Sequence, residues 1–232
     1  MVPLTAENPT RTTPVITYIL IALNILVFSY ELTLTEPQLD LFFRAFAVVP
    51  KELTASFHGI PVHQAIPEPL TLITSQFLHA SFLHIGFNML FLWIFGNNIE
   101  DVLGHFKFLF FYLACGVLAS LTQWFFSALS TVPSLGASGA IAGVMGAYIL
   151  KFPRTRILTL IPLGFFFTTV RIPAIFFLGF WFLQQAFNGI ASLQVPASIG
   201  MKSGGIAYWA HAGGFVFGFI LGPILGLFSD RN

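Results

Sequence analysis

The 232-residue chain is 56% hydrophobic and only 8% charged. A soluble domain carries about a quarter charged residues, so this chain lacks the polar surface that a water-exposed globule needs. A net charge of +1 excludes a disordered chain and a basic nucleic-acid binder, and no nucleic-acid partner is expected. This composition, with a mean hydropathy of +0.84, is typical of a polytopic α-helical membrane protein.

Six apolar segments are candidate membrane-spanning helices, which need roughly 20 residues each and fewer where one end is buried in protein. In chain order they cover approximately residues 15–34, 81–99, 105–127, 138–151, 172–191 and 206–228. The fold predicted from them is all-α, with one six-span domain over residues 15–228. A short cytoplasmic tail (1–14) precedes this domain, and a short cytoplasmic end (229–232) follows it.

The basic residues indicate the orientation, because short cytoplasmic loops collect Lys and Arg. With both termini inside, most of the ten basic residues fall on the cytoplasmic side. The strongest contribution comes from Lys151, Arg154 and Arg156, which follow the fourth span. We therefore predict an N-in, C-in topology, in which the large loop between spans one and two, roughly residues 35–80, is external.

Polar groups inside apolar spans are costly, so each is a functional candidate. The second span contains His84 and Asn88, the fourth begins at Ser138, and the sixth contains His211. A helix rises ~1.5 Å per residue across a core of ~30 Å, which places Ser138 ~10 Å below the external surface. The same count places the other three side chains ~6 to 12 Å deep. Four polar groups from three spans are thus predicted to share one layer.

Small residues predict a close approach of the fourth and sixth helices, because they let helix backbones come together in a membrane. They recur at helical spacing on one face of each helix: Gly139 and Gly143 on the fourth, and Gly214 and Gly218 on the sixth. A close crossing would bring the Ser138 hydroxyl within hydrogen-bond reach of the His211 imidazole. This is the geometry that an activated serine nucleophile requires.

The start of the fourth helix is also suited to hold an oxyanion, because its first N–H groups are unpaired and its dipole favours negative charge. Side-chain donors from His84 and Asn88 could complete an oxyanion hole there. The acids considered as a third member, Glu100 and Asp101, lie ~20 Å or more from Ser138 by the same helix rise. The residues therefore predict a Ser–His dyad without an acidic third member.

Three motifs together resemble the rhomboid intramembrane serine proteases, of the bacterial six-span type. They are Gly136-x-Ser138-Gly139, His84-x-x-x-Asn88 and Ala210-His211-x-x-Gly214-x-x-x-Gly218, on spans four, two and six. The similarity extends over about residues 15–228 and includes Thr74–His79 and Tyr208–His211. Any one of these motifs alone is weak, and the combination in this order is specific.

The resemblance implies that Ser138 is the nucleophile, His211 the general base, and His84 with Asn88 the oxyanion donors. Gly136, Gly139 and His79 would be supporting residues. It further implies a serine endopeptidase that needs no cofactor and cleaves transmembrane proteins, which enter laterally from the lipid bilayer beside span five. The expected location is a bacterial plasma membrane, with the active site open to the external side.

Two departures from the family pattern keep an alternative open. Family members often carry an aromatic residue four positions after the serine, to stack on the catalytic histidine, and here Ala142 stands there. The Trp-Arg pair often found in the first external loop is absent from residues 69–74. The alternative function is a rhomboid-like pseudoprotease, which binds membrane clients without cutting them.

Two further functions are disfavoured by the residues. A small transporter would need a mid-span break or paired intramembrane charges, and neither is present in the sequence. A metal site over His58, His63 and His79 does not match a common zinc spacing, so no metal is expected. The sequence specifies neither the substrate nor the oligomeric state.

Overall fold

The elements are described here from a computed structural model, which covers residues 1–62, 65–164, 166–193 and 207–229. The helices are α1 (Val15–Glu31), α2 (Glu36–Phe46), α3 (Pro50–Phe57), α4 (Glu68–Thr74), α5 (Phe82–Phe91), α6 (Asn97–Leu103), α7 (His105–Ser127), α8 (Ser138–Lys151), α9 (Ala174–Ser192) and α10 (Tyr208–Ile224). A 3-10 turn (Ser75–Phe77) follows α4, and a π-helical segment (Leu92–Gly96) joins α5 to α6. Of the predicted C-terminal end, 229–232, only Ser229 lies within the described residues.

Three helical stretches in the described ranges are long and apolar enough to cross a membrane. They are Phe82–Leu103, which runs from α5 through the π-helical segment to α6, His105–Ser127 (α7) and Ala174–Ser192 (α9). Helices α1, α8 and α10 are apolar but shorter, with 17, 14 and 17 residues. At ~1.5 Å per residue, α8 is only ~21 Å long, less than the ~30 Å of a hydrocarbon core. A helix this short, placed in a membrane, has at least one end below the surface.

Helix α8 forms the centre of the helix bundle. Every residue from Gly139 to Tyr148 is buried. The helix packs against α7 on one side and α10 on another, with α9 nearby. A helix that is apolar all round is typical of such an interior position, because no face needs to meet water.

Glycines bring α8 and α10 into backbone contact. A Cβ atom added at Gly214 would collide with the carbonyl oxygen of Gly139. One turn further along, a Cβ added at Gly218 would collide with the carbonyl oxygen of Gly143. Only residues without a side chain fit at this separation, so the spacing between the two helices is set by their glycines.

The fold is mostly helical, as predicted, but it is not all-α, because the chain also forms a three-stranded antiparallel sheet in the order β1-β2-β3. The strands are β1 (Val2–Ala6), β2 (Arg156–Leu163) and β3 (Phe166–Pro173). The β2–β3 hairpin pairs Arg156 with Pro173 at one end and Leu163 with Phe166 at the other. Isoleucine, valine, threonine and phenylalanine dominate this segment and favour strands.

Strand β1 lies in the segment predicted as a tail. Val2 pairs with Leu160 and Ala6 with Ile157, so residues 2–6 are part of the folded domain. Ile157 is fully buried and belongs to the main hydrophobic core. The sheet is thereby joined to the helix bundle, across the predicted boundary at residue 15.

Two neighbouring acids attach the N-terminal segment to α6. The fully buried Glu100 accepts hydrogen bonds from the backbone N–H groups of Ile16 (2.8 Å) and Thr17 (2.7 Å). These donors belong to the first turn of α1, where no intrahelical partner exists. Asp101 accepts from the backbone N–H of Thr12 at 2.8 Å. Glu100 therefore supplies the cap that the N-cap residue of α1, a proline, lacks.

A buried carboxyl group lies in the segment that connects α1 to α5. Glu68, at the start of α4, is 2% exposed and lies beside Glu52 of α3. Burial, with a smaller contribution from the negative charge of Glu52, raises the pKa of Glu68 to about 7. Near neutral pH this group therefore takes up a proton, which relieves the repulsion between α3 and α4.

We expect the packing of α3 on α4 to weaken as pH rises from about 5 to 8. The folded-state pKa of Glu68 lies above its ordinary value of 4.5, so the folded form binds the proton more tightly and loses stability when the group ionises. Limited proteolysis of the segment over this pH range measures the effect. Glu68→Gln, which stays neutral, should remove most of the pH dependence. Unchanged dependence in that variant would contradict the assignment.

Substitution of Gly218 by alanine should destabilise the bundle, because the new methyl group meets the backbone of α8 and no flexible side chain can move away. Overpacking of this kind costs about 1–3 kcal/mol of unfolding free energy. The matched control is Gly179→Ala on α9, where an added Cβ has nothing within 4 Å. Unfolding in detergent micelles compares the two variants, and equal stability would exclude a tight α8–α10 contact.

Candidate active site

Ser138 is the first residue of α8 and is held by a short preceding loop. Backbone hydrogen bonds join Ser134 to Val48 in both directions (2.7 and 3.1 Å), and the Gly136 N–H donates to the carbonyl of Ser75 at 2.8 Å. The N-cap residue is Ala137, and no side chain caps the helix. The Ser138 hydroxyl is therefore not used as an N-cap, the ordinary structural role of a serine at a helix start.

His211 lies in the first turns of α10 and faces Ser138. The distance from His211 Nε2 to Ser138 Oγ is 2.7 Å, a short hydrogen bond. The start of α10 is fixed to α7 by two contacts. The backbone N–H of Ala210 donates to Gln123 Oε1 at 3.2 Å, and Trp209 stacks on Phe126 with ring centroids 3.8 Å apart.

Helix α9 contributes two side chains to the histidine that were not predicted as its partners. Gln185 Oε1 lies 2.9 Å from His211 Nδ1. The Trp181 ring lies 5.7 Å from the imidazole, centroid to centroid, at an angle of 34°. Trp181 thus supplies the aromatic contact that Ala142 lacks. The sequence carried one signal for Gln185, since it is one of three amides, with Gln184 and Asn188, in an apolar span, but nothing assigned it to His211.

His84 lies next to the serine, across Gly136. The φ angle of Gly136 is +123°, a conformation that residues with a side chain rarely adopt. A Cβ atom there would lie 2.7 Å from His84 Nε2 and 3.7 Å from Ser138 Oγ. The glycine therefore leaves the space in which the imidazole approaches the serine.

Asn88 belongs to an adjoining pair with His79. Its amide nitrogen lies 2.9 Å from His79 Nε2, and the His79 and His84 rings are in edge contact at 5.0 Å. Burial, aided by the neighbouring His84, lowers the pKa of His79 to about 3, so this ring stays neutral and its Nε2 accepts from Asn88. The backbone N–H of His79 lies 3.3 Å from the buried carboxylate of Glu31. The structure thus groups Ser138 with His211 and His84, and ties Asn88 to His79 behind them.

A cavity of about 20 Å³ lies beside Ser138. Its polar lining includes Ser75, Ser120 and Ser134, together with the serine itself. A space of this size holds one water molecule, and a buried water needs two to four polar partners. The cavity is therefore suited to a single water next to the hydroxyl.

Metal ligands do not gather in the described ranges: no group of three or more His, Cys, Asp or Glu side chains there could hold an ion. Of His58, His63 and His79, His63 lies outside those ranges. The groups that lie together at the site are the Ser138 hydroxyl, the His211 and His84 imidazoles and the backbone N–H donors of α8.

Comparison with known proteins decides the family. A family model for the Rhomboid domain matches residues 67–228. The chain belongs to the rhomboid family. It is an integral membrane protein of this family, whose named members include a rhomboid protease.

Three relatives illustrate the match. Rhomboid protein 1, mitochondrial, of Saccharomyces cerevisiae is 31% identical over 161 residues, which cover 68% of this chain and 42% of the yeast protein. The rhomboid protease GluP of Bacillus subtilis is 33% identical over 156 residues, covering 67% of this chain and 26% of GluP. The human presenilin-associated rhomboid-like protein, mitochondrial, is 31% identical over 166 residues, covering 70% and 39%. The matched region thus spans less than half of each relative.

Proposed function

We propose that the chain is an intramembrane serine endopeptidase, with Ser138 as nucleophile and His211 as general base. The observation that carries the proposal is the 2.7 Å contact between Ser138 Oγ and His211 Nε2 at the start of the central helix. A hydroxyl is a weak nucleophile, and an imidazole within hydrogen-bond reach activates it by accepting its proton. The match to a named rhomboid protease over this region supports the same function.

The reaction proceeds in two steps. Ser138 Oγ attacks the carbonyl carbon of the scissile peptide bond while its proton passes to His211. The imidazolium then protonates the leaving amine as the C–N bond breaks, and an acyl-enzyme remains. A water molecule, for which the cavity beside Ser138 has room, attacks the ester with His211 again as base, and releases the second product and the serine.

Negative charge on the substrate oxygen would be stabilised by two kinds of donor. The first-turn N–H groups of α8 have no side-chain cap and carry the positive end of the helix dipole. His84, held across Gly136, supplies a side-chain donor from the other side. Asn88 is proposed as the deeper member of the hole, with His79 as its support.

The proposal includes a six-span topology. The three long apolar helices and the three shorter ones, α1, α8 and α10, are the six candidate spans. With both termini in the cytoplasm, the 35–80 connection and the start of α8 face the external side, from which water reaches Ser138. Transmembrane substrates enter laterally from the lipid beside α9. A bacterial plasma membrane stays a prediction, since the relatives include mitochondrial proteins and one of Bacillus subtilis.

The pseudoprotease alternative depends partly on Ala142, which offers no ring to the histidine. Trp181 lies against His211 from α9 and takes the place of that ring. Both reacting groups are present and in contact. These observations favour the protease over a binding protein.

Ser138→Ala should abolish two activities of the purified protein: labelling by a fluorophosphonate probe and cleavage of a single-span model substrate. Loss of a catalytic serine lowers turnover by roughly 10⁴-fold or more. Ser29→Ala, an exposed serine of α1, is the control and should react as the wild type does. A wild-type protein that neither labels nor cleaves would establish the pseudoprotease instead, and cleavage that survives Ser138→Ala would exclude the mechanism.

Gly136→Ala should slow labelling of Ser138 by roughly 10–100-fold, because the new methyl group displaces His84, an oxyanion donor. The variant also strains the backbone, since φ is positive. Gly59→Ala separates these effects: its φ is +69°, but an added Cβ has nothing within 4 Å. If both variants label at the same rate, the contact between Gly136 and His84 has no role in the reaction.

A further inference from the structure

Gln185 is the buried polar side chain of α9. Its contact with the proposed reacting groups is to His211. It is 7% exposed, and its Oε1 lies 2.9 Å from His211 Nδ1, on the side of the ring opposite to Ser138. The imidazole is therefore held between two oxygen atoms, Ser138 Oγ on Nε2 and Gln185 Oε1 on Nδ1.

The two contacts together determine the tautomer. In a neutral imidazole, one nitrogen carries the proton and the other has the free lone pair. If Nδ1–H donates to the amide oxygen of Gln185, the lone pair is on Nε2 and faces the Ser138 hydroxyl, as a general base requires. The opposite tautomer would direct an N–H at Ser138 and could not accept its proton.

We propose that Gln185 is a positioning residue that holds His211 in the tautomer and orientation needed to accept the Ser138 proton. The inference rests on the proposed function. It assigns to a neutral amide the task that a buried carboxylate performs in a Ser-His-Asp triad. An amide suits an apolar span, because an ionised carboxylate at this depth would be costly.

The test compares Gln185→Leu with Gln185→Glu and Gln184→Leu. Leucine removes the acceptor at similar size, so the kcat for a model substrate and the rate of fluorophosphonate labelling should fall roughly 10–100-fold, which is at or below the lower end of the ~10²–10⁴-fold that a general base contributes, because His211 itself stays in place. The KM should change by no more than about threefold, because the residue does not contact substrate in the proposal. Gln185→Glu keeps an acceptor and should stay within about fivefold of the wild-type kcat. The control, Gln184, is exposed on the same helix, and its leucine variant should react as the wild type does.

A spectroscopic measurement reads the tautomer directly. In protein labelled with ¹⁵N-histidine, the His211 signals are identified by their loss in His211→Ala. The wild type should show Nδ1 protonated and Nε2 unprotonated, and Gln185→Leu should show a mixture of both forms. This measurement on the wild type also decides the matter if Gln185→Leu does not fold.

The outcomes separate the two proposals. A wild-type protein that labels and cleaves, with Gln185→Leu slowed, Gln185→Glu rescued and the tautomer mixed in the leucine variant, supports the inference. Wild-type kcat in Gln185→Leu, or a proton on Nε2 in the wild type, overturns it and leaves the protease intact. A slowed leucine variant with an unchanged tautomer shows a packing role and also overturns it. Failure of the wild type to label or cleave removes the proposed function itself.

Discussion

The close approach of α8 and α10 is the constraint on which the site depends. Gly214 and Gly218 place the α10 backbone against α8, and Gly146 of α8 in turn accommodates the carbonyl of Phe215. Without a hydrophobic driving force between helices in lipid, such packing relies on van der Waals contact at short range. Serine and histidine have short side chains. Ser138 Oγ and His211 Nε2 therefore lie 2.7 Å apart only because the backbones of α8 and α10 are in contact.

Two helix starts elsewhere in the bundle are held by side chains distant in sequence. Glu100 caps the first turn of α1 across more than 80 residues of chain, and Gln123 of α7 accepts the N–H of Ala210 at the start of α10. Each bond satisfies a backbone group at a helix end, where the helix itself provides no partner. In an apolar environment an N–H group without a hydrogen-bond partner is costly. These side chains therefore stabilise the helix ends and determine where those ends lie.

The sequence predicted what depends on local spacing. Small residues four apart indicated the contact of two helices, and the position of Ser138 at a helix start indicated its uncapped N–H groups. The roles of these residues stay predictions. Strand β1 was missed because it pairs with β2 across more than 150 residues of chain. The local β2–β3 hairpin was missed because hydropathy counts do not separate a short apolar strand from a loop or a span end. Trp181 and Gln185 were not assigned to His211 because the rotation of α9 against α10 is set by tertiary packing, which spacing within one helix does not determine.

Helix α9 both borders the proposed lateral path of the substrate and carries the two side chains that flank His211. An incoming transmembrane segment that pushes this helix outward would therefore withdraw the amide and the indole from the imidazole at the same time. Entry of a substrate and alignment of His211 would then require different positions of α9.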